Sequence, residues 1–250
     1  VDNDLPSTDH CPGYGSAAKY IATSMKEIIR DNSSFGVQKP TVCIVEIMGR
    51  NAGWLTAAAA LSRGSDCEGP DAIYLPERVF DMDAFMDKVK ELAAKKSSVV
   101  IAVSEGVQIA DGRFVCELGR EVAVDAFGHK QMSGTAVILA QKVAEETGLK
   151  TRAIEFSTLQ RAATHIASLT DINEAFQVGH DAVVAANEGK TGMMITLFYH
   201  QMSRCAVHIQ RHQLAHDKGS AILFEIVCQI RAVRCDPLVG NLSLHVRDSV

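Results

Sequence analysis

The chain has no Cys-x-x-Cys pair: its seven cysteines are an odd number, scattered over 250 residues. That argues against a disulfide framework, and reduced thiols in a cytoplasmic protein fit best. No apolar run reaches membrane-spanning length either; the best, Ala221 to Cys228, is short and carries Glu225. A secretory signal is absent, although a shortened N-terminus would not carry one. Positive charge is not in excess, and a net charge of −5 argues against a nucleic acid or an acidic membrane as the main partner. What remains is 47% hydrophobic and 22% charged, an ordinary soluble composition. The length suits one large domain or two small ones with a sizeable core.

A conventional start is missing too. The chain opens at Val1 inside V-D-N-D-L-P-S-T-D, with no Met and no lead-in. A catalytic loop normally follows the strand that positions it, so the expectation is a C-terminal fragment of a longer protein. Asp2 and Asp4 flank Asn3, and in extended backbone both point to one side. One carboxylate can take a proton from a hydroxyl while the other holds a hard cation or orders its waters. A solvated Asx-turn explains a bare D-N-D at least as well.

Hydrophobic periodicity predicts strands at Thr41 to Met48, Ala72 to Leu75 (closed by Pro76), Ser98 to Val103, Thr151 to Phe156 and Gly192 to Phe198. Helices are expected at Gly15 to Arg30 with Ser16 as a possible N-cap, at Ala52 to Ser62, and at Asp81 to Ala94 capped by Asp81. Two further helices are expected, Thr135 to Thr147 ending at Gly148 and Ile172 to Asn187 ending at Gly189. Alternation of this kind gives an α/β fold with a mainly parallel sheet flanked by helices. Ligands then collect at the carboxyl ends of the strands, just after Met48, Val103 and Phe156.

Chemistry-bearing residues stand there. Met48-Gly49-Arg50-Asn51-Ala52-Gly53 joins a strand to a helix, where glycines admit close approach and Arg50 offers a bidentate fork to phosphate. The pattern is not G-x-G-x-x-G, so a dinucleotide reading is weak. Glu105, in Ser104-Glu105-Gly106, offers acceptors to sugar hydroxyls or caps the next turn. Arg152, Gln160 and Arg161 bracket one strand and could grip a phosphate together; singly, each Arg reads as a solvated or interface charge. In the loop from Asp125 to Gly134, His129 has no Ser or Cys nucleophile placed for a triad, and a plain surface loop is the better reading.

Taken in order, V-D-N-D-L-P-S-T-D-H, I-V-E-I-M-G-R-N-A-G-W-L, S-E-G, T-R-A and T-L-Q-R resemble the 6-phosphofructokinases, chiefly the bacterial subgroup with pyrophosphate-using and mixed-donor members. The resemblance runs from Val1 to about Thr196. It implies a phosphofructokinase-like fold with Rossmann-like layers. It also implies Mg²⁺-dependent transfer of a phosphoryl group from ATP or pyrophosphate to the 1-hydroxyl of fructose 6-phosphate, a glycolytic reaction yielding fructose 1,6-bisphosphate. By that resemblance Asp2 is the general base, and Asp4 is a second acid close to the metal. Val1, Asp2, Met48, Gly49 and Arg50 lie on the substrate, Arg50 at the reacting phosphate. Glu105 contacts the sugar, Thr158, Leu159, Gln160 and Arg161 form the last substrate stretch, and Arg152 reaches a neighbouring subunit's 6-phosphate. Such chemistry asks for positioning and charge neutralisation more than covalent catalysis.

The glycine-rich donor segment of that family belongs upstream of Val1, so this chain alone is expected to lack turnover. Lys39-Pro40-Thr41 stands where many members carry an Arg. Residues 1–198 are expected to form the fructose 6-phosphate-binding part, and 199–250 an atypical, poorly packed tail of out-of-frame or rearranged origin. The tail's His208, His212 and His216 would share a face if helical, a spacing a metal could use, but nothing around them supports a metal site. A homodimer or homotetramer is expected at full length. The alternative is a non-catalytic sugar-phosphate-binding or regulatory subunit; retention of Asp2 and Asp4 favours the enzyme. A diacylglycerol or NAD kinase on the same scaffold is disfavoured by M-G-R and T-L-Q-R, which read a phosphorylated sugar.

Overall fold

Thr41–Ile47 form strand β1, and all seven of its residues are buried. A β-branched run of this kind is stable only where both faces of a sheet are covered. β1 lies between β3 (Ser98–Ser104) and β4 (Lys150–Glu155), and β2 (Ala72–Tyr74) adds to the far side of β3. All three pairings are parallel, in the order β2-β3-β1-β4. The structure, a computed structural model, describes residues 8–9, 11–35, 39–119, 134–199 and 205–210, with the backbone alone from 198 onward. The chain divides into two compact units, one of residues 18–162 and one joining residues 1–17 to 163–250.

In the first unit successive sheet residues point to opposite faces. Val42, Ile44, Val99, Ile101 and Val103 pack against Phe85, Met86 and Val89 of the helix Met82–Lys95 and against Leu139 and Val143 of the helix Thr135–Thr147. Cys43, Val45, Ile47, Val100 and Ala102 face the other way, onto Ile21 and Met25 of the helix Tyr14–Ser33 and onto Phe156. The fold class is therefore the expected one, a parallel sheet between helical layers. In chain order these helices are α1 (Tyr14–Ser33), α2 (Trp54–Ala57), α3 (Met82–Lys95) and α4 (Thr135–Thr147).

Caps agree with local chemistry. Asp81 accepts hydrogen bonds from the Asp83 and Ala84 amides, both at 3.0 Å, and so starts α3. Gly148, at φ 65°, ends α4. The helix expected from Ala52 to Ser62 is shorter: α2 covers four residues and tightens into a 3₁₀ turn at Ala58–Ser62. There the Ser62 hydroxyl donates to the Ala59 carbonyl at 2.7 Å, competing with a regular helical bond. Burial pushes the Cys43 thiol up to about 11 and raises that of Cys116, as befits inert core residues.

In the second unit, α6 (Leu169–Asn187) comes after a short helix α5 (Leu159–Ala162, in the first unit). Ser16 was expected to cap α1 from outside; instead α1 begins at Tyr14 and Ser16 sits in its first turn. The carboxylate of Asp171, in α6, does the capping, accepting from the Ser16 amide at 2.6 Å and from its hydroxyl. Asp171 is consequently buried, whereas Leu169, Ile172, Phe176 and Val183 of the same helix stand exposed.

The strand expected from Gly192 to Phe198 is β5 (Met194–Tyr199), and it does not join the parallel sheet. It pairs antiparallel with β6 (Cys205–Gln210), in register from Met194↔Gln210 to Tyr199↔Cys205. The Asp9 amide also donates to the Leu197 carbonyl at 2.8 Å. This bond joins Asp9 to β5 within the second unit. The first part of the segment expected to pack poorly is thus sheet-paired. His208 lies opposite Thr196 in β6, in a strand, so the condition under which the three histidines would share a helical face is not met at His208; His212 and His216 lie outside the described residues.

Phe85→Ala should destabilise the first unit by about 3–4 kcal/mol through a core cavity. Asp81→Ala should cost about 1 kcal/mol. Urea unfolding would check both, and equal losses would refute this ranking.

Candidate functional site

Parallel register makes β1 and its neighbours end at one level: Ile47 pairs with Ser104 and Glu46 with Glu155. The ladder continues one residue past the strands, with the Glu105 amide donating to the Ile47 carbonyl at 3.0 Å and the Phe156 amide to the Glu46 carbonyl at 3.1 Å. Three turns therefore leave the same carboxyl edge, starting at Met48, Glu105 and Phe156, as the sequence predicted.

The first two turns are locked together. The Gly49 amide donates to Glu105 Oε1 at 3.2 Å, and the Ser104 hydroxyl donates to the Gly49 carbonyl. Gly106 lies directly under Arg50: a β-carbon there would stand 1.9 Å from the Arg50 carbonyl oxygen, a contact no side chain can make. Gly49 has φ +148°, and its β-carbon would meet the Ala52 carbonyl at 2.5 Å. Both glycines are required by space. Downstream, the Gly53 amide donates to Glu77 Oε1 at 2.6 Å, fixing the entry to α2.

The third turn begins with Ser157 at φ 46°, the one left-handed non-glycine among the described residues. Such a conformation costs on the order of 1 kcal/mol and concentrates at functional turns. Thr158, Leu159 and Arg161 are exposed there. Gln160 is turned inward, 2% exposed, and neither of its amide atoms has a hydrogen-bond partner.

Arg152 stands apart. It pairs with Cys43 in mid-sheet, donates to Asp31 Oδ2 at 3.0 Å, and lays its guanidinium 4.0 Å from the Phe35 ring centroid. Of the three residues expected to grip a phosphate, Arg152 is held by Asp31 and Phe35, Gln160 is buried, and Arg161 is exposed. Val1, Asp2, Asp4 and His129 lie outside the described residues.

Two features escaped sequence reasoning. One is the strained turn at Ser157, for which no sequence signal exists. The other is Glu46, 4% exposed at the end of β1. Its Oε2 accepts from the Ala136 amide at 2.8 Å, at the start of α4. Burial pushes its carboxyl up to about 7; the amides of Ala136 and Gly134 oppose the rise, and the negative charges of Glu155 and Glu105 add to it. The available signal was one acid inside an otherwise apolar buried strand.

The arrangement offers guanidinium-bearing turns for an anion and an acceptor-only carboxylate for hydroxyls, all at one sheet edge. Among the described residues no group of three or more His, Cys, Asp or Glu side chains could hold a metal.

A phosphofructokinase family model matches residues 1–212, beyond the boundary expected at 198. The pyrophosphate–fructose 6-phosphate 1-phosphotransferase of Xanthomonas campestris pv. campestris is 44% identical over 194 residues, 78% of this chain and 46% of that protein. A sulfofructose kinase of Alkalicoccus urumqiensis is 30% identical over 246 residues, covering 98% of this chain and 62% of that one. The crystal structure of pyrophosphate-dependent phosphofructokinase from Nitrosospira multiformis superposes with a TM-score of 0.66 at 36% identity, covering 84% of this chain and 49% of that chain. The chain spans about half the length of the first of these curated relatives.

Gly106→Ala should push the Arg50 main chain aside and cost about 2 kcal/mol by overpacking. Thermal unfolding of the variant would show it; an unchanged midpoint would mean the two turns do not meet as described.

Proposed function

The chain belongs to the phosphofructokinase family, and on that premise we propose that its parallel sheet carries the sugar-phosphate site of an enzyme that phosphorylates the 1-hydroxyl of fructose 6-phosphate. The observation that carries this reading is the locked pair of turns, Gly49 to Glu105, beside the strained turn that leads to Arg161. Glu105, ionised, accepts from sugar hydroxyls. Arg50 meets the transferring phosphoryl group, with Met48 and Gly49 shaping the backbone around it. Thr158, Leu159 and Arg161 line the 6-phosphate end, while Gln160 supports that turn from beneath. Arg152, bound to Asp31 in this chain, would exchange that contact for a neighbouring subunit's 6-phosphate in a homodimer or homotetramer.

On the same reading Asp2 takes the proton of the attacking hydroxyl. Asp4 would hold Mg²⁺ or its waters, and the ion would supply charge neutralisation for the transferring phosphate. The donor we favour is pyrophosphate, because that is the donor named for the relatives that match most of this chain. The product is fructose 1,6-bisphosphate, formed in cytoplasmic glycolysis.

Trp54, the sole tryptophan, is half-buried one residue past Gly53 and serves as the reporter. Fructose 6-phosphate should change its fluorescence saturably, and Arg50→Ala should weaken binding roughly 10- to 100-fold, the loss of one charge-assisted contact. No change at saturating sugar phosphate would overturn the substrate. A tighter response to sulfofructose than to fructose 6-phosphate would move the reading to a sulfonated sugar.

A further inference from the structure

We propose that Glu46 is a positioning residue whose carboxyl takes up a proton when an anion occupies the site above it, a coupling that rests on the sugar-phosphate reading of the three turns. Glu46 lies beside two of the three turns. Its carbonyl receives the Phe156 amide at 3.1 Å, where the third turn begins, and the next carbonyl, of Ile47, receives the Glu105 amide at 3.0 Å. Its side chain holds the Ala136 amide at 2.8 Å, and the neighbouring Thr135 hydroxyl donates to the Glu105 carbonyl at 3.2 Å. The backbone of Glu46 thus joins the third turn, and its buried carboxyl joins the start of α4, next to the Thr135 hydroxyl that holds the Glu105 turn.

The groups facing it make the charge costly. From β4 comes Glu155 and from the turn after β3 comes Glu105, both negative. From the 3₁₀ turn Val115–Glu117 comes Cys116, whose thiol in turn feels Glu46. Among the described residues, the amino end of α4 presents the backbone N–H groups of Gly134 and Ala136. A bound phosphate adds negative charge on the same side. Protonating Glu46 is the response that needs no movement, and burial already holds it near the point of uptake at neutral pH. Linkage is reciprocal, so a falling pH should tighten anion binding and anion binding should consume protons. The same raised value means that stability contributed by neutral Glu46 is complete below the ordinary glutamate range and is lost as pH rises through about 7.

The test uses Trp54 fluorescence of the 250-residue chain, titrated with fructose 6-phosphate and separately with inorganic phosphate at several pH values around neutrality. Wild type should bind up to about tenfold more weakly at the alkaline end, the size of a one-unit pKa coupling. Glu46→Gln should lose that component and keep only the ligand's own ionisation. Glu155→Gln, an exposed edge change, should move the inflection to lower pH by removing one repelling charge, and it carries the test should Glu46→Gln not fold. Profiles identical in wild type and Glu155→Gln, or a Glu46→Gln profile that keeps the wild-type inflection, would overturn the coupling. A response to phosphate without one to the sugar phosphate would sink the sugar reading, with the coupling then judged on the phosphate profile. A response to neither would overturn both.

Discussion

The site depends on one constraint, the common register of β1, β3 and β4. Because β1 is buried on both faces and hydrogen-bonded along both edges, it cannot shift without exposing an apolar face or breaking a ladder. Its neighbours are therefore held at matching heights, and the residues after them emerge together. The turns need little of their own to meet: one amide-to-carboxylate bond from Gly49 to Glu105, one hydroxyl bond from Ser104, and a glycine under Arg50. The rigidity of the sheet is what positions these otherwise irregular segments.

That placement sets three acids, Glu46, Glu105 and Glu155, near one strand edge, beside the proposed sugar-phosphate site. Burial makes the charge of Glu46 costly. Glu46 ties its side chain to the amino end of α4, where backbone N–H groups favour negative charge. Burial and two neighbouring acids oppose that preference and push the Glu46 carboxyl well above the usual carboxylate range. A buried group in such balance responds to modest changes in charge nearby.

The second unit obeys a different rule. In α6 the buried acid Asp171 faces inward to cap α1, while Leu169, Ile172, Phe176 and Val183 face outward. Specific hydrogen bonds to Ser16, together with the β5–β6 pairing, decide how this helix sits. Hydrophobic periodicity located the helix; it did not tell which face would be covered.

Local order was legible wherever one residue type has one cheap conformation or one stable location. Asp81 starts α3, Gly148 ends α4, and the β-branched run from Thr41 is a buried strand, each for a reason contained in a few neighbouring residues. The glycine, arginine and acid at the strand ends were visible as well, since alternating strands and helices dictate where ligands collect. The sequence by itself therefore determined most of the elements, the parallel sheet and the edge where ligands are expected to collect. Only the tertiary structure decided that Gln160 turns inward, that Arg152 is held by Asp31 and Phe35, that β5 pairs with β6, and that Glu46 is desolvated beside two other acids. Each of those outcomes depends on what lies across from the residue in space, and burial and charge proximity are properties of the packed assembly, not of neighbours along the chain.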